Sequence, residues 1–358
     1  MALHPFGASE QVWRDIVGMG WTGLIVPERY GGAGMGLVEM ALVVEEMGAA
    51  AFPGPFFTTA VVGATAVAIA GNESQRRSLL PRIADGSLNL SLAAQDEAGR
   101  WPLQLSQSSR QSPPQQAVSS VPSIVATRES HGWRLAGRAG FVADATSAHS
   151  FVAAAAAPRA GLLLCVIGRD APGVTVGARH VSVGGDRQSD VSFAGVAIDD
   201  SAVLGNPEDG EANLRRLFLT AGALKSVEMI GGARRVLDMT VEYAKNRQQF
   251  GRPIGSFQAV SHMIAEIAIL VESARQLAYQ AVSRLADGEA AVAEVGLAKL
   301  RANEVFVRSC ELAHQCHGAI GFTQEHDLQF FTRRALAGRV TFGDDADHRD
   351  AALSSIGL

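Results

Sequence analysis

The chain has 358 residues, of which 47% are hydrophobic and 19% are charged. This composition supplies a large core and excludes a mainly disordered protein, which would need low hydrophobicity and high net charge. Its 31 basic and 36 acidic side chains give a net charge of −5, so no overall attraction to nucleic acid or acidic lipid is expected. The three cysteines are too few for a disulfide scaffold and predict a reducing, cytoplasmic location.

The N-terminal region bears on targeting and on membrane insertion. The first residues, MALHPFGASEQVW, contain no basic region followed by an apolar one, so they predict no secretory signal. Met47–Gly71 is uncharged and long enough to cross a bilayer, but Pro53 and Pro55 interrupt it. We therefore expect a turn followed by a buried helix.

Residues 1–86 predict an α-helical domain. Ser9 and Asn72 are the predicted N-caps of its first and last helices. Gly20–Gly36 predicts an ordered loop because of its glycines and proline. The predicted helices cover residues 9–20, 37–48, 57–70 and 73–84.

Residues 87–205 predict a β-domain, because the apolar runs become short and are separated by turn residues. Leu162–Ile167 is a continuous apolar run that suits a buried strand, whereas Val191 and Phe193 alternate with smaller residues. Residues 104–123 consist mostly of Ser, Gln and Pro, a composition that predicts a mobile surface loop.

Residues 206–358 predict an antiparallel four-helix bundle, since long helical segments follow one another with short connections. Pro253 blocks continuation between the first two helices. The predicted helices cover residues 211–246, 257–287, 289–317 and 324–337.

Two clusters invite a functional interpretation but lack the required spacing. The glycines of Gly31–Gly36 form neither a dinucleotide-binding fingerprint nor a phosphate loop, so a structural turn is favoured. His314, Cys316 and His317 match no metal-binding motif, and we predict no metal site.

The segment Asn246–Gln258 is more informative. It places Arg247 and Arg252 around an interhelical turn that contains Gly251. Arginine binds phosphate through two hydrogen bonds, and glycine permits close backbone approach. The same residues also suit a basic helix end followed by a turn, so the residues alone leave both interpretations open.

Five motifs then follow one another in a characteristic order. They are Gly20–Gly36, EEMG at Glu45–Gly48, the strand Phe193–Gly205, RQQFGRPIGSFQ at Arg247–Gln258 and QCHGAIGF at Gln315–Phe322. Together they resemble the acyl-CoA dehydrogenase family, and the resemblance spans nearly the whole chain.

The resemblance implies an α+β fold with an N-terminal α-helical domain, a middle β-domain and a C-terminal four-helix bundle. It implies FAD as the cofactor and α,β-dehydrogenation of an acyl-CoA as the reaction. By resemblance, Arg247 contacts the FAD pyrophosphate of a neighbouring subunit, Gln249 and Phe250 lie beside it, and Gln258 approaches the adenine end. The segment Gln315–Gly318 lines the cofactor across a dimer interface, so an oligomer is expected.

The chain departs from the family pattern at the positions of the catalytic base and of the flavin-contacting residues. Counting from Gly321 places Phe342 at the position of the usual catalytic glutamate, and phenylalanine cannot accept a proton. A second glutamate position, used by some members on the first bundle helix, holds Ala221. Phe141 and Ala143 replace the Trp and Thr that contact the flavin ring, so the hydroxyl donor to its edge is missing.

Three hypotheses follow. In the one we favour, the chain is a subunit of a heteromeric, steroid side-chain type acyl-CoA dehydrogenase and completes the FAD site of a homologous partner that carries the glutamate. In the second, Asp344 or Asp345 acts as a displaced base in a homomeric enzyme. In the third, the chain is a flavin-free structural or binding subunit. An electron-transfer flavoprotein is the electron acceptor that the resemblance implies.

Overall fold

The computed structural model describes residues 10–102, 122–158 and 160–357. Ser9, the predicted first cap, and residues 104–121 of the predicted mobile loop lie outside these ranges. The chain forms two compact units. The first unit comprises Met1–Met40, Pro53–Ser182 and Asp186–Ala221, and the second comprises Ala41–Phe52, Val183–Gly185 and Gly222–Leu358.

The N-terminal part of the chain is helical, as predicted. Phe57–Gly63 is a π-helix rather than the α-helix that the sequence predicts. The Thr59 hydroxyl lies 3.3 Å from the Leu90 amide nitrogen and carbonyl oxygen, and the wider turn accommodates this close packing. The α-helices here are α1 (Glu10–Gly18), α2 (Leu37–Ala49), α3 (Ala64–Ala70) and α4 (Glu73–Ala84).

Two predicted N-terminal details are found in the structure. The Asn72 side chain accepts a hydrogen bond from the Gln75 amide at 2.9 Å, and the Gln75 side chain accepts one from the Asn72 amide, which completes a capping box. A Cβ atom on Gly32 would lie 2.1 Å from the Val26 carbonyl oxygen. The glycine cluster is therefore required by a tight turn.

The first unit contains a mixed sheet, in which eight strands lie among the described residues. Strand β4 pairs in parallel with β1 and β2, and the other pairings are antiparallel. The strands are β1 (Leu90–Ala93), β2 (Ile124–Glu129), β3 (Gly132–Ala143), β4 (Ser150–Ala157), β5 (Gly161–Gly168), β6 (Val174–Val176), β7 (His180–Val181) and β8 (Arg187–Ile198).

The sheet buries the residues that the sequence pattern selects. Leu162–Ile167 lies within β5, and Val191 and Phe193 of β8 are buried as predicted. Phe151 and Leu163 join Phe193 in one apolar cluster. The alternation along β8 thus marks a strand with one buried face.

The second unit contains the C-terminal helices and one short hairpin. The four predicted helices are present, and none of the helices in the described parts of the chain is both long and apolar enough to cross a bilayer. Helix α9 is a correction, because the sequence analysis placed no helix after the fourth. The elements are α5 (Gly210–Asn246), β9 (Gln248–Gln249), β10 (Arg252–Pro253), α6 (Gln258–Ala286), α7 (Val292–His317), α8 (Leu328–Gly338) and α9 (Asp345–Ser355).

The EEMG motif is explained by close contact between α2 and α5 in this unit. A Cβ atom on Gly48 would lie 1.9 Å from the Glu228 carbonyl oxygen, and one on Gly231 would lie 1.9 Å from the Glu45 carbonyl oxygen. Each glycine therefore faces the backbone of the other helix, and a larger residue at either position would separate them.

Glu45 ties this helix pair to α6. Its buried carboxylate accepts hydrogen bonds from Arg275 Nε at 3.0 Å and from the Tyr279 hydroxyl at 2.6 Å, and Arg234 Nε lies 3.4 Å away. The bond to Glu45 raises the pKa of Arg275. The motif thus combines a backbone contact with a buried ion pair.

Replacing Glu45 with Gln is expected to lower the free energy of unfolding by about 2–4 kcal/mol, because Arg275 loses its carboxylate in a half-buried site. Chemical denaturation measures this change. The matched control is Glu46→Gln: the Glu46 side chain is 68% exposed and pairs only with Arg234 among the described residues. Its loss is expected to cost less than about 1 kcal/mol. Equal losses in the two variants would contradict this assignment.

Candidate functional site

The predicted phosphate-contacting segment is a hairpin between α5 and α6. The Arg247 amide donates to the Tyr243 carbonyl oxygen at 2.8 Å, and the Ile254 amide donates to the Arg247 carbonyl oxygen at 2.8 Å. Phe250 and Gly251 form its two-residue turn with φ values of 53° and 76°. Positive φ at both positions matches the twist of a tight hairpin. For a bulky residue such as Phe250 this conformation is strained, which is typical of functional sites.

The hairpin presents its side chains outward. Phe250 is 91% exposed and Arg247 is also exposed. No described residue forms an ion pair with Arg247. Arg252 differs, because its guanidinium lies 4.1 Å from the centre of the Phe257 ring. The hairpin therefore offers one uncommitted cation beside an exposed aromatic ring.

The second predicted cofactor segment lies next to the hairpin. Helix α7 ends at His317, whose ring stacks on Tyr243 with the ring centres 4.5 Å apart. Gly318 follows with a φ of 65°, and Gln315 and Gly318 are exposed. The stack of Tyr243 on His317 thus joins the helix turn that precedes Arg247 to the Gln315–Gly318 segment, which is far from it in sequence. Gln249 and Gln258 are exposed on the same hairpin and on the first turn of α6.

At the predicted base position the structure holds a buried ring. Phe342 is 6% exposed, its φ is 59°, and its carbonyl oxygen accepts a hydrogen bond from His348 Nε2 at 2.9 Å. Ala221, at the second base position, is buried in α5. Neither residue carries a group that accepts a proton at physiological pH.

Asp344 and Asp345, the predicted displaced bases, both have structural partners. Asp344 is the N-cap of α9, and its side chain accepts hydrogen bonds from the amides of Ala346 at 2.8 Å and Asp347 at 3.0 Å. Asp345 accepts hydrogen bonds from Asn303 at 2.6 Å and Arg339 at 2.5 Å. Burial alone would raise the pKa of Asp345, but these two donors outweigh it and lower the pKa. A lowered pKa makes Asp345 a weak base.

A buried lysine beside this turn was not predicted. Lys299 is fully buried, and its Nζ donates to Asn303 Oδ1 and to the Gly338 carbonyl oxygen, both at 2.8 Å. Burial, reinforced by the charge of Lys225, lowers the pKa of Lys299 to about 7. Its sequence signal is its place on the apolar face of α7, four residues after Val295 and three before Ala302, both of which are buried.

The predicted flavin-edge segment ends β3 in the first unit. Phe141 is 43% exposed with a φ of 50°, and Asp144 has a φ of 52°. The Asp144 carboxylate accepts a hydrogen bond from the Thr58 hydroxyl at 3.2 Å. Because Asp tolerates this backbone region nearly as well as Asn, the family's Asn is replaced without a change of turn. Ala143 leaves the segment without the family's hydroxyl.

The nearby Ala93–Trp101 segment, which departs from the family sequence, folds as a closed turn. Asp96 Oδ1 accepts hydrogen bonds from the amides of Ala98 and Arg100, each at 2.9 Å. The Trp101 ring meets Phe218 edge-on at 4.8 Å between ring centres. This turn serves local packing.

The candidate metal ligands of the sequence analysis do not assemble as a metal site. Among the described residues, no group of three or more His, Cys, Asp or Glu side chains has a geometry that holds a metal ion. Cys310 and Cys316 are buried thiols. Burial raises the pKa of Cys316 to about 11, so it is a neutral packing residue at physiological pH.

The comparisons with known proteins identify the family of the chain. The model of the acyl-CoA dehydrogenase C-terminal domain matches residues 216–356, and that of the N-terminal domain matches residues 4–87. The chain belongs to the acyl-CoA dehydrogenase family. Acyl-CoA dehydrogenases are oxidoreductases that act on CH–CH bonds with FAD as cofactor, in agreement with the predicted enzyme class and cofactor.

Individual acyl-CoA dehydrogenases match most of the chain. FadE12 of Mycobacterium tuberculosis is 27% identical over 342 residues, which cover 93% of this chain and 84% of FadE12. IpdE2 of the same organism is 28% identical over 330 residues, which cover 92% of this chain and 81% of IpdE2. A solved structure described as Tcur3481-Tcur3483 steroid ACAD is 28% identical with a TM-score of 0.84, covering 98% of this chain and 89% of that chain.

Proposed function

We propose that the chain is the subunit of a heteromeric acyl-CoA dehydrogenase that lacks the base and completes the FAD site of a partner subunit. The observation that carries this proposal is the outward-facing hairpin, with Arg247 free of ion pairs among the described residues and Phe250 91% exposed. These exposed groups are available to a cofactor that is held across a subunit interface, as the family resemblance implies.

The side chains fit one end of FAD and not the other. The guanidinium of Arg247, the amides of Gln249 and Gln258 and the open backbone at Gly318 are donors suited to phosphate and adenine. At the flavin edge, Phe141 and Ala143 offer no side-chain donor. This asymmetry favours a chain that holds the pyrophosphate of a flavin whose ring contacts belong to the partner.

These residues indicate which parts of the reaction this chain would perform and which the partner would perform. Bound FAD supplies the acceptor for the β-hydride of the acyl-CoA. Arg247 would hold the pyrophosphate through its charge, and the exposed Phe250 would help to exclude water from this contact, which would strengthen the ion pair. Phe342 cannot remove the α-proton, so the partner's glutamate does so.

The substrate class rests on the relatives alone. The description of one relative, Tcur3481-Tcur3483, pairs two gene products and names a steroid acyl-CoA dehydrogenase. It supports a heteromeric assembly and a bulky, steroid-derived CoA thioester as the substrate. An electron-transfer flavoprotein as electron acceptor and a cytoplasmic location complete the proposal.

The test is the visible absorption spectrum of the chain purified alone and after co-expression with a homologue that has Glu at the position aligned with Phe342. We expect little FAD in the chain alone, and stoichiometric FAD that is bleached by an acyl-CoA in the complex. Full FAD content and bleaching in the chain alone would overturn the proposal in favour of a homomeric enzyme. A complex that forms without flavin would instead favour the structural subunit.

The Asp344 alternative has its own test. Asp344→Asn keeps an oxygen that caps α9, so turnover of the complex is expected to stay within about twofold. Asp344→Ala removes the cap as well, and is expected to cost about 1 kcal/mol of stability with turnover still retained. A loss of about a hundredfold in the Asn variant, with FAD content and unfolding unchanged, would show that Asp344 is the base.

A further inference from the structure

A cluster of aromatic rings joins the two predicted cofactor segments. The His317 ring stacks on Tyr243 and meets the His326 ring at 4.7 Å between centres. The His314 ring stacks on Phe322, with ring centres 4.6 Å apart. We call His314, His317 and His326 the imidazole cluster. Its members occupy the end of α7 and the turn before α8.

The stack connects directly to the atoms that hold the hairpin. The Tyr243 carbonyl oxygen accepts the Arg247 amide at 2.8 Å, while the Tyr243 ring lies on His317, the residue before Gly318. Helices α5 and α7 both end within three residues of this contact. Because helix ends fray unless they are tied down, the stack fixes the separation of the two segments.

His314 and His317 each donate one hydrogen bond, and a second N–H bond on either ring would have no acceptor among the described residues. The Thr332 hydroxyl donates to the Leu328 carbonyl oxygen at 3.1 Å, so His314 Nε2, 2.8 Å from that hydroxyl, is assigned as the donor. His317 Nδ1 donates to the Ala313 carbonyl oxygen at 2.8 Å. The remaining nitrogens, His314 Nδ1 and His317 Nε2, are buried and find no partner among the described residues.

His326 Nδ1 accepts a hydrogen bond from the Leu328 amide at 3.2 Å. A proton added to His314 Nδ1 or His317 Nε2 would remain unpaired in a buried place. Charging either ring therefore weakens the packing of the cluster.

The surroundings supply no charge that would favour protonation. Burial and the neighbouring imidazoles lower the pKa of both His314 and His317. Glu311, on the same helix, pairs with Arg308 at 3.4 Å. At the ends of the elements that carry the cluster, Glu242 and Lys245 of α5, Glu325 and Asp327 of the turn and Arg333 of α8 are exposed, and Cys310 and Cys316 of α7 are buried thiols.

We infer that Tyr243 and His317 are positioning residues for FAD, and that protonation of the imidazole cluster in acid separates the two cofactor segments and releases FAD from the assembled enzyme. This inference rests on the proposed function. It assigns to the cluster a pH-sensitive control of the contributed part of the FAD site.

The experiment measures FAD dissociation from the complex by the rise in flavin fluorescence at about pH 8 and about pH 5.5, on either side of the ordinary histidine pKa. We expect FAD to bind about tenfold more weakly at the lower pH in the wild type. His317→Phe keeps a ring that stacks on Tyr243 but cannot be protonated. Whatever its affinity at about pH 8, this variant is expected to lose most of the acid-induced change in FAD affinity.

Variants of Tyr243 separate positioning from folding. Tyr243→Phe keeps the stack and is expected to bind FAD like the wild type, whereas Tyr243→Leu keeps an apolar side chain without the ring. The Leu variant is expected to bind FAD about tenfold more weakly at about pH 8. Wild-type binding by a folded Tyr243→Leu variant, or an undiminished acid effect in His317→Phe, would overturn the inference. If Tyr243→Leu does not fold, the His317→Phe result decides alone.

A flavin-independent measurement separates this inference from the proposed function. NMR titration of the imidazole protons in the chain alone reports whether His317 stays neutral and stacked. A neutral, stacked His317 in a complex that holds FAD equally at both pH values would refute the inference and leave the proposed function intact. A wild-type complex without FAD at about pH 8 would refute the proposed function itself.

Discussion

Replacing Arg247 with Ala is expected to weaken FAD binding by the assembled enzyme about a hundredfold, which corresponds to about 2.7 kcal/mol. Arg247 has no ion-pair partner among the described residues, so its truncation removes no internal contact of that kind. The unfolding of the chain should therefore change little. Equilibrium titration with FAD, monitored by flavin fluorescence, measures the loss, and thermal unfolding of the chain alone measures stability.

The hairpin provides a matched control for this prediction. Replacing Arg252 with Ala removes the same charge as replacing Arg247, but the Arg252 guanidinium lies against the Phe257 ring. Arg252→Ala is expected to weaken FAD binding less than about fivefold, since an exposed charge that makes no direct contact with a phosphate is screened by salt. Arg247→Lys keeps the charge and loses the bidentate geometry, so an intermediate effect is expected. Equal losses in Arg247→Ala and Arg252→Ala would mean that net charge alone attracts the cofactor.

The second large effect is a rise in the free energy of unfolding with pH above about pH 7, which Lys299 is expected to cause. The unfolded chain binds a proton on this amine up to its ordinary pKa of 10.5, whereas the folded chain resists protonation until about pH 7. Between these values the unfolded state holds more protons, so the free energy of unfolding rises with pH at up to about 1.4 kcal/mol per unit. From about pH 7 to about pH 10, Lys299 is expected to contribute a rise of about 3 kcal/mol.

Geometry supports this protonation state as well. The two acceptors of Lys299, Asn303 Oδ1 and the Gly338 carbonyl oxygen, match the two N–H bonds of a neutral amine. Lys299→Met is expected to abolish the alkaline rise, measured by urea denaturation at a series of pH values. The control Lys245→Met changes an exposed lysine and should retain the rise. A full rise in the Lys299 variant would assign it to other titrating groups.

Much of the secondary structure could be predicted, because long helices and half-buried strands repeat apolar residues at fixed spacings. Apolar spacing does not reveal α9, because Asp344, Asp345 and Asp347 make its N-cap and first turn polar. Only His348, Ala351 and Ala352 of this helix are buried. The helix starts at a capping box formed by Asp344 and Asp347, which is hard to recognise within a run of acidic residues. The π-helix at Phe57–Gly63 depends on a contact with Leu90 that sequence periodicity does not contain.

The residues of the candidate site are proposed from the sequence, whereas their contacts with one another are visible only in the structure. The residues alone left Arg247 undecided between a phosphate contact and a helix end, and the family resemblance gave it a role. The stack of Tyr243 on His317 joins residues more than seventy positions apart, so no local pattern reveals it. His314 and His317 were judged only against metal motifs, although their geometry is that of neutral packed rings. Lys299 was missed because lysine is ordinarily a surface residue.

The burial of Phe342 has a consequence for how this chain can evolve. Phenylalanine and glutamate codons differ at every base, so no single mutation returns a carboxylate to this position. The intermediate residues would sit at a buried site whose backbone has a φ of 59° and whose carbonyl accepts the His348 proton. A core position of this kind tolerates changes of volume poorly. A carboxylate introduced at residue 342 would therefore place an ionisable group at a packed, buried position.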